Sequence, residues 1–266
     1  MIPNLKEPGS LDAWRRLEAA KRRLLFTLLG LGLPDRGLAF RFLKDESTAG
    51  QPKVLTGHAE GRITINIAEA DDPHREQVRI EMGEAYRTLL GHFRHESGHY
   101  YWNLLIRDGD RAASFRERFG DERADDAEAG RRHYSTGPPA DRATRFVSVY
   151  ASMHPWEDFA ETWAHHLHRT DTLETARAQG LGLKPRPAGA GRSRNPPTVL
   201  LREIDPESFE QLIGAWAPLT VTLNELNRSM GAPDPYPFVV HDRAAAKLRL
   251  VHETIEQARR SALAVD

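Results

Sequence analysis

The sequence predicts an α+β fold, mostly helical, with one small β-hairpin ahead of its central helix. Long stretches place apolar residues at helical spacing, as in Leu17, Leu24 and Leu28 and again in Leu89, Leu90, Phe93, Leu104 and Leu105. One short stretch, Ile63-Thr64-Ile65-Asn66-Ile67, alternates with a period of two and reads as strand. The chain has no internal repeat. Leu24-Leu25-Phe26-Thr27-Leu28-Leu29-Gly30-Leu31, apolar but short and glycine-broken, reads as a buried helix face and not as a membrane span.

At 266 residues the chain can bury a full core, in one large domain or one and a half. Its 37 basic and 38 acidic side chains nearly cancel, so no single-sign field draws it to nucleic acid or to a membrane surface, and neither partner is expected. There is no cysteine, which excludes disulfides and thiolate metal sites and leaves His, Asp and Glu as the available ligands. A chain without cysteine suits a reducing compartment, and Met1 to Glu7 lacks a basic start followed by an apolar run, so a cytoplasmic location is expected.

Taken in order, residues 10–30 form an amphipathic helix with Ser10 as N-cap, ended by Gly30, Gly32 and Pro34. Val54-Leu55-Thr56 and Ile63 to Ile67 form a hairpin around Glu60-Gly61, its isoleucines on one face and Thr64 and Asn66 on the other. Asp71-Asp72-Pro73 opens a helical region that Gly83 interrupts. A strong helix follows from Glu84 to about Arg107, closed by Asp108-Gly109-Asp110. Residues 114–134, with Asp121, Glu122, Asp125, Asp126 and Glu128, read as a solvated loop and short helix without a calcium-loop pattern. A second strong helix runs from Pro155 to about Arg169, proline being favourable at the first helical position. The segment from Gly180 to Pro197 is rich in Gly, Pro and Arg. Helices at about 206–230 and 241–262 complete the chain, parted by Pro233-Asp234-Pro235-Tyr236-Pro237. The expected organisation is a core over 1–180, a linker or lid over 181–197 carrying Lys184, Arg186, Arg192 and Arg194, and a C-terminal helical segment over 198–266 packed on the core.

The chemistry concentrates in His95-Glu96-Ser97-Gly98-His99, an H-E-x-x-H pattern on the strong helix. Positions i and i+4 share a helix face, so both imidazoles can reach one metal ion, with zinc the expected ion. Glu96 between them is the expected general base, taking a proton from the attacking water and delivering it to the leaving amine. A catalytic zinc site keeps three protein ligands, so a third must come from elsewhere. Glu157, Glu161 and His165 fall at i, i+4 and i+8 of the second strong helix. Two carboxylates so placed repel unless something positive lies between them. Glu157 is the economical third ligand, with Glu161 accepting the free N–H of a ligand histidine. His165 is the competing ligand and otherwise an outer partner of the site. His92, three residues before His95, reads as a core or supporting histidine, and His154 and His166 receive no role.

Leu55-Thr56-Gly57-His58, Ile63 to Asp71, Tyr86 to Glu96 and His154-Pro155-Trp156-Glu157-Asp158-Phe159-Ala160-Glu161-Thr162 together resemble a bacterial family of zinc-binding metallopeptidases named from its H-E-x-x-H motif. The resemblance runs from about Leu11 to the C-terminal helices. Many members carry an N-terminal cysteine-rich zinc ribbon, and a chain without cysteine is expected to lack it. Glu157 and Glu161 are also similar to the E-x-x-x-E helix of the gluzincin peptidases. That likeness implies a zincin-like fold, Glu157 as ligand, and Tyr150, seven residues earlier, as a hydrogen-bond donor to the oxyanion, with Arg145 a second candidate and a packed aromatic the plain alternative for Tyr150. In zincin folds an edge strand beside the metal helix pairs with extended peptide, which makes Ile63 to Ile67, with Thr64 and Asn66 outward, the expected substrate strand. The expected activity is a peptidase, with an endopeptidase favoured, using one zinc ion. A zincin-fold binding module and a zinc hydrolase of non-peptide amides are the alternatives.

Overall fold

A computed structural model describes residues 1–45, 54–81, 84–183 and 199–263. It has α1 (Ser10–Gly30), β1 (Ala39–Leu43), β2 (Gly57–Ala59), β3 (Arg62–Asn66), α2 (Asp72–Glu81), α3 (Leu89–Trp102), α4 (Ala112–Phe119), α5 (Asp126–Thr136), α6 (Arg142–Arg145), α7 (Pro155–Ala178), β4 (Gly182–Leu183), β5 (Val199–Leu200), α8 (Phe209–Ser229) and α9 (Asp242–Leu263). The chain is therefore mostly helical with a small sheet, an α+β arrangement.

The chain forms two compact units, residues 1–166 with 238–266, and residues 167–237. In the first, β1, β3 and β2 lie in that order, with β1 parallel and β2 antiparallel to β3. The hairpin turn is Glu60-Gly61, both with positive φ (51° and 76°). Such a turn matches the twist of the flanking strands. Gly61 has a further reason to be glycine, since a Cβ there would lie 2.6 Å from the carbonyl oxygen of Gly37. Ile63 and Ile65 are fully buried beneath the sheet. Leu17, Leu24 and Leu28 bury the inner stripe of α1, which packs on α3. Tyr100 and Tyr101 donate from α3 to the carbonyls of Arg36 and Pro34, at 2.8 and 3.1 Å. Tyr101, Trp102, Phe115, Phe119, Phe159 and Trp163 form an aromatic core shared by α3, α4 and α7.

In the second unit the end of α7 and α8 meet around Tyr236, whose ring lies 5.3 Å from His168 and 4.9 Å from Trp216. Asn224 on α8 donates to the Tyr236 carbonyl at 2.9 Å. The Gly/Pro/Arg-rich linker lies almost wholly outside the described residues, as does Gly83, and the three-part division of the chain stands as a proposal about its organisation.

Several elements differ from the sequence expectation. Ser10 is the first helical residue of α1, not its cap; Gly9 holds the cap position and the Ser10 hydroxyl is buried without a partner. β1 was not expected, and β2 begins after Thr56 instead of at Val54. The central helix starts at Leu89 and not Glu84, because Thr88 is extended and its hydroxyl accepts the Gly91 N–H at 3.0 Å. It ends in a π-helical turn, Asn103–Arg107. Residues 114–134 are more helical than their charge suggests, because Phe115 and Phe119 bury one face of α4 and Asp125 caps α5. The acidic groups there are spent locally: Glu122 pairs with Arg116 and Asp121 with Arg123. α7 runs nine residues beyond Arg169.

Candidate metal centre

α3 and α7 carry the site, and small residues bring them together. Gly98 lies so close to α7 that a Cβ would sit 2.8 Å from the Ala160 Cα. Beside it the Trp163 indole N–H donates to Ser97 Oγ at 3.1 Å, and Ser97 Oγ donates to the Arg94 carbonyl at 2.7 Å. The two inner positions of the H-E-x-x-H pattern thus seat α7, while the outer positions face across the contact. The first turn of α7 is fixed by His154, whose Nδ1 accepts the Trp156 N–H at 3.1 Å while Nε2 lies 3.1 Å from the Ala124 carbonyl. That arrangement is the Nε2–H tautomer of a neutral imidazole.

Across the contact, His95 Nε2 lies 3.2 Å from His99 Nε2 and 3.0 Å from Glu157 Oε2, and His99 Nε2 lies 3.5 Å from the same oxygen. Among the described residues this is the one trio of His, Asp or Glu atoms that converges closely enough to hold a metal ion. His165 is not part of it. Its ring packs on Phe238 at 4.5 Å.

Both ring nitrogens of His95 face carboxylate oxygens, Glu161 Oε1 at 2.7 Å from Nδ1 and Glu157 Oε2 at 3.0 Å from Nε2. A neutral imidazole has one proton for two acceptors, so the arrangement demands positive charge. Without a metal the protein can meet that demand only with a proton. Burial pushes the His95 imidazole down, yet the hydrogen bonds and charges of Glu157 and Glu161 outweigh it and hold His95 well above its ordinary range. Against burial, the same contacts hold Glu161 down at about 2 and Glu157 lower still. The ligand atoms are 3.0–3.5 Å apart, and the edge of a tetrahedral zinc site with bonds of about 2.0–2.1 Å is roughly 3.3 Å. Glu157 Oε2 is buried and faces the two imidazole nitrogens, with no other hydrogen-bond donor on it. The donor set, two imidazoles and a carboxylate, fits zinc.

Glu96 is buried on the same helix, with Oε2 unpartnered. Burial raises its pKa, while the nearby histidines lower it less. The Tyr150 ring lies 5.7 Å from the His95 ring. Burial first, then Glu157 and its neighbours, pushes the Tyr150 phenol up, so it is a proton donor at any ordinary pH. Arg145, the other oxyanion candidate, is bound to Asp141 at 3.3 Å and half exposed. His92 Nδ1 sits 3.3 Å from Glu69 Oε2, and burial lowers its pKa to about 3, so it is a neutral supporting histidine.

Thr64 and Asn66 do not lie on a free sheet edge. β3 is the central strand, paired on both sides, with Thr64 opposite Gly57 and Arg41. Its backbone offers no free ladder to a peptide. The Asn66 side chain is consumed as well: it accepts from Ala68 N at 3.0 Å and donates to the Val54 carbonyl at 3.0 Å and to Asp45 at 3.2 Å. Among the described residues the edge next to α3 is β2, Gly57–Ala59.

Sequence reasoning also missed two supporting residues. Ser148 donates to Glu161 Oε2 at 2.6 Å. Trp156 lies against the His99 ring, centroids 3.7 Å apart. Trp156 adjoins Glu157 in the chain, which was a local signal; Ser148 had none.

A buried His-His-Glu cluster with a glutamate beside it defines a candidate zinc-binding protein. Residues 10–254 match the model of a family described as "putative zinc-binding metallo-peptidase", and the chain belongs to that family. Uncharacterized proteins of Mycobacterium tuberculosis and Mycobacterium bovis are each 44% identical to it over 264 residues, spanning 96% of this chain and 73% of the relative. No solved structure matches the chain. Among the described residues no helix is long and apolar enough to cross a membrane.

Proposed function

We propose that the chain is a zincin-type, gluzincin-like peptidase that uses one zinc ion, held by His95, His99 and Glu157, to hydrolyse bonds within peptide chains. The observation that carries this reading is the convergence of those three ligand atoms beside the unpartnered carboxylate oxygen of Glu96. Zinc bound there would supply Lewis acidity, polarising a carbonyl and lowering the pKa of water from about 15.7 to about 7. Glu96 takes the proton of the attacking water and passes it to the departing amine. Its burial suits that task, because a carboxylate pushed up from its ordinary range is a stronger base. Tyr150, protonated beside His95, donates to the oxyanion that forms on the substrate. Glu161 holds His95 through Nδ1 and so aims Nε2 at the centre.

The β2 edge, and not β3, is the strand on which an extended peptide would pair, by main-chain hydrogen bonds that tolerate many side chains. That mode favours an endopeptidase. We assign the enzyme to the cytoplasm, on the ground that its chemistry and stability use no cysteine.

Glu96→Gln tests the mechanism. Metal analysis should find zinc retained, and cleavage of a broad peptide library should fall by about 10²–10⁴-fold, the usual worth of a general base. Wild-type cleavage by this variant would remove Glu96 from the mechanism.

A further inference from the structure

We infer that Ser148 is a positioning residue that ties the turn carrying Tyr150 to the carboxylate holding His95; the inference rests on the reading of this site as a zinc centre. A serine hydroxyl has one proton to give and two lone pairs to accept with. Ser148 Oγ gives its proton to Glu161 Oε2 at 2.6 Å and accepts the Ala151 N–H at 3.0 Å. Glu161 uses its other oxygen, Oε1, on His95 Nδ1 at 2.7 Å.

The result is a continuous chain from the Ala151 amide through Ser148 and Glu161 to His95. Each link fixes something different. The Ala151 bond closes the 3-10 turn Tyr150–Ser152, as serine does at the start of short helical turns. The bond to Glu161 restrains a carboxylate that could otherwise rotate away from His95, since Glu χ3 is broad and roughly two-fold. Tyr150 and His95, 5.7 Å apart between rings, are thereby set relative to each other by one hydroxyl two residues from the tyrosine. Water could replace one of these bonds in a serine-less variant. A water there would be held by hydrogen bonds alone, without the covalent tie that fixes the serine hydroxyl two residues from Tyr150.

The test uses the full chain, stripped of metal and titrated with zinc against a chromophoric chelator. Ser148→Ala should weaken zinc binding about 10-fold, the lower end for loss of an outer partner of a metal-bound histidine. Ser148→Thr keeps the hydroxyl and should stay within about twofold of wild type by the same reasoning. If Ser148 acts through Glu161, the double variant Ser148→Ala/Glu161→Ala should bind no more weakly than Glu161→Ala alone. Wild-type affinity in Ser148→Ala, or losses that add in the double variant, would overturn the inference. So would failure of Ser148→Thr to restore binding together with a large drop in the melting temperature of the metal-free protein, which would mark a packing role. If the wild type itself binds no zinc, the reading of the whole site falls and the inference with it, an outcome distinct from the others.

Discussion

The two histidines of the motif are held by different forces. His95 gives Nδ1 to Glu161, whereas His99 Nδ1 is buried with no hydrogen-bond partner. What His99 has instead is Trp156, its ring 3.7 Å away and tilted by 32°. Aromatic pairs contribute about 0.5–1.5 kcal/mol beyond the area they bury, and 1.4 kcal/mol is a factor of ten in affinity. Trp156→Ala should therefore weaken zinc binding by roughly 2- to 12-fold, while Trp156→Phe keeps most of it. The same chelator competition measures both, and equal affinity in Trp156→Ala would mean that the stack is incidental. The H-E-x-x-H histidines were legible in the sequence, and so was Glu161 as the support of one of them, but Trp156 and Ser148 were not. Spacing of four on a helix fixes which side chains share a face. Which hydroxyl or ring lies against them depends on a turn more than 40 residues away in the chain.

At the scale of elements, α3 and α7 approach closely because Gly98 offers no Cβ. Gly98→Ala sets two effects against each other. Alanine favours a helix interior by about 1 kcal/mol over glycine. Its methyl would stand 2.8 Å from the Ala160 Cα, backbone that cannot yield without separating the helices, and overpacking of that kind costs about 1–3 kcal/mol. The clash should win. We expect a net loss of stability in denaturant titration and weaker zinc binding, because Glu157 rides on α7 and moves away from His95. The first turn of α7 is also pinned by α9. Lys247, buried, donates to Asp158 Oδ2 at 2.5 Å and to the Arg145 carbonyl at 3.0 Å, with its ammonium 4.1 Å from the Phe146 ring centre. Lys247→Met would leave Asp158 buried without its partner. Breaking such a pair costs about 3–5 kcal/mol. Burial already pushes Asp158 up to about 7 beside Lys247, so it can escape part of that cost by taking up a proton. A loss near 3 kcal/mol, largely recovered in Lys247→Met/Asp158→Asn, is the expected result by urea unfolding. Helix α7 was readable from its apolar spacing. β1 was not, since Ala39–Leu43 is short, half buried and contains Arg41, and it becomes a strand only through its parallel pairing with β3. That missing partner is why β3 looked like an edge.

For the molecule as a whole, the site joins residues 62 positions apart in the chain, His95 and Glu157, so an ion bound there would act as a cross-link between two helices. Anything that binds the folded form alone stabilises it by mass action, about 4.1 kcal/mol at a thousandfold excess over its dissociation constant. In a domain of this size each kcal/mol moves the melting temperature by about 2–4 °C. Zinc at that excess should therefore raise the melting temperature of the chelator-stripped protein by roughly 8–16 °C. Glu157→Ala should abolish most of that rise, and Glu96→Gln should preserve it. The contrast follows from position: Glu157 Oε2 lies 3.0 and 3.5 Å from the two imidazoles, while Glu96 stands beside the trio without belonging to it. Hydrogen exchange should localise the added protection to α3 and the first turn of α7, where the ligands sit. Protection spread evenly over the chain, or a rise that survives Glu157→Ala, would place the ion elsewhere and separate zinc binding from the chemistry proposed for Glu96.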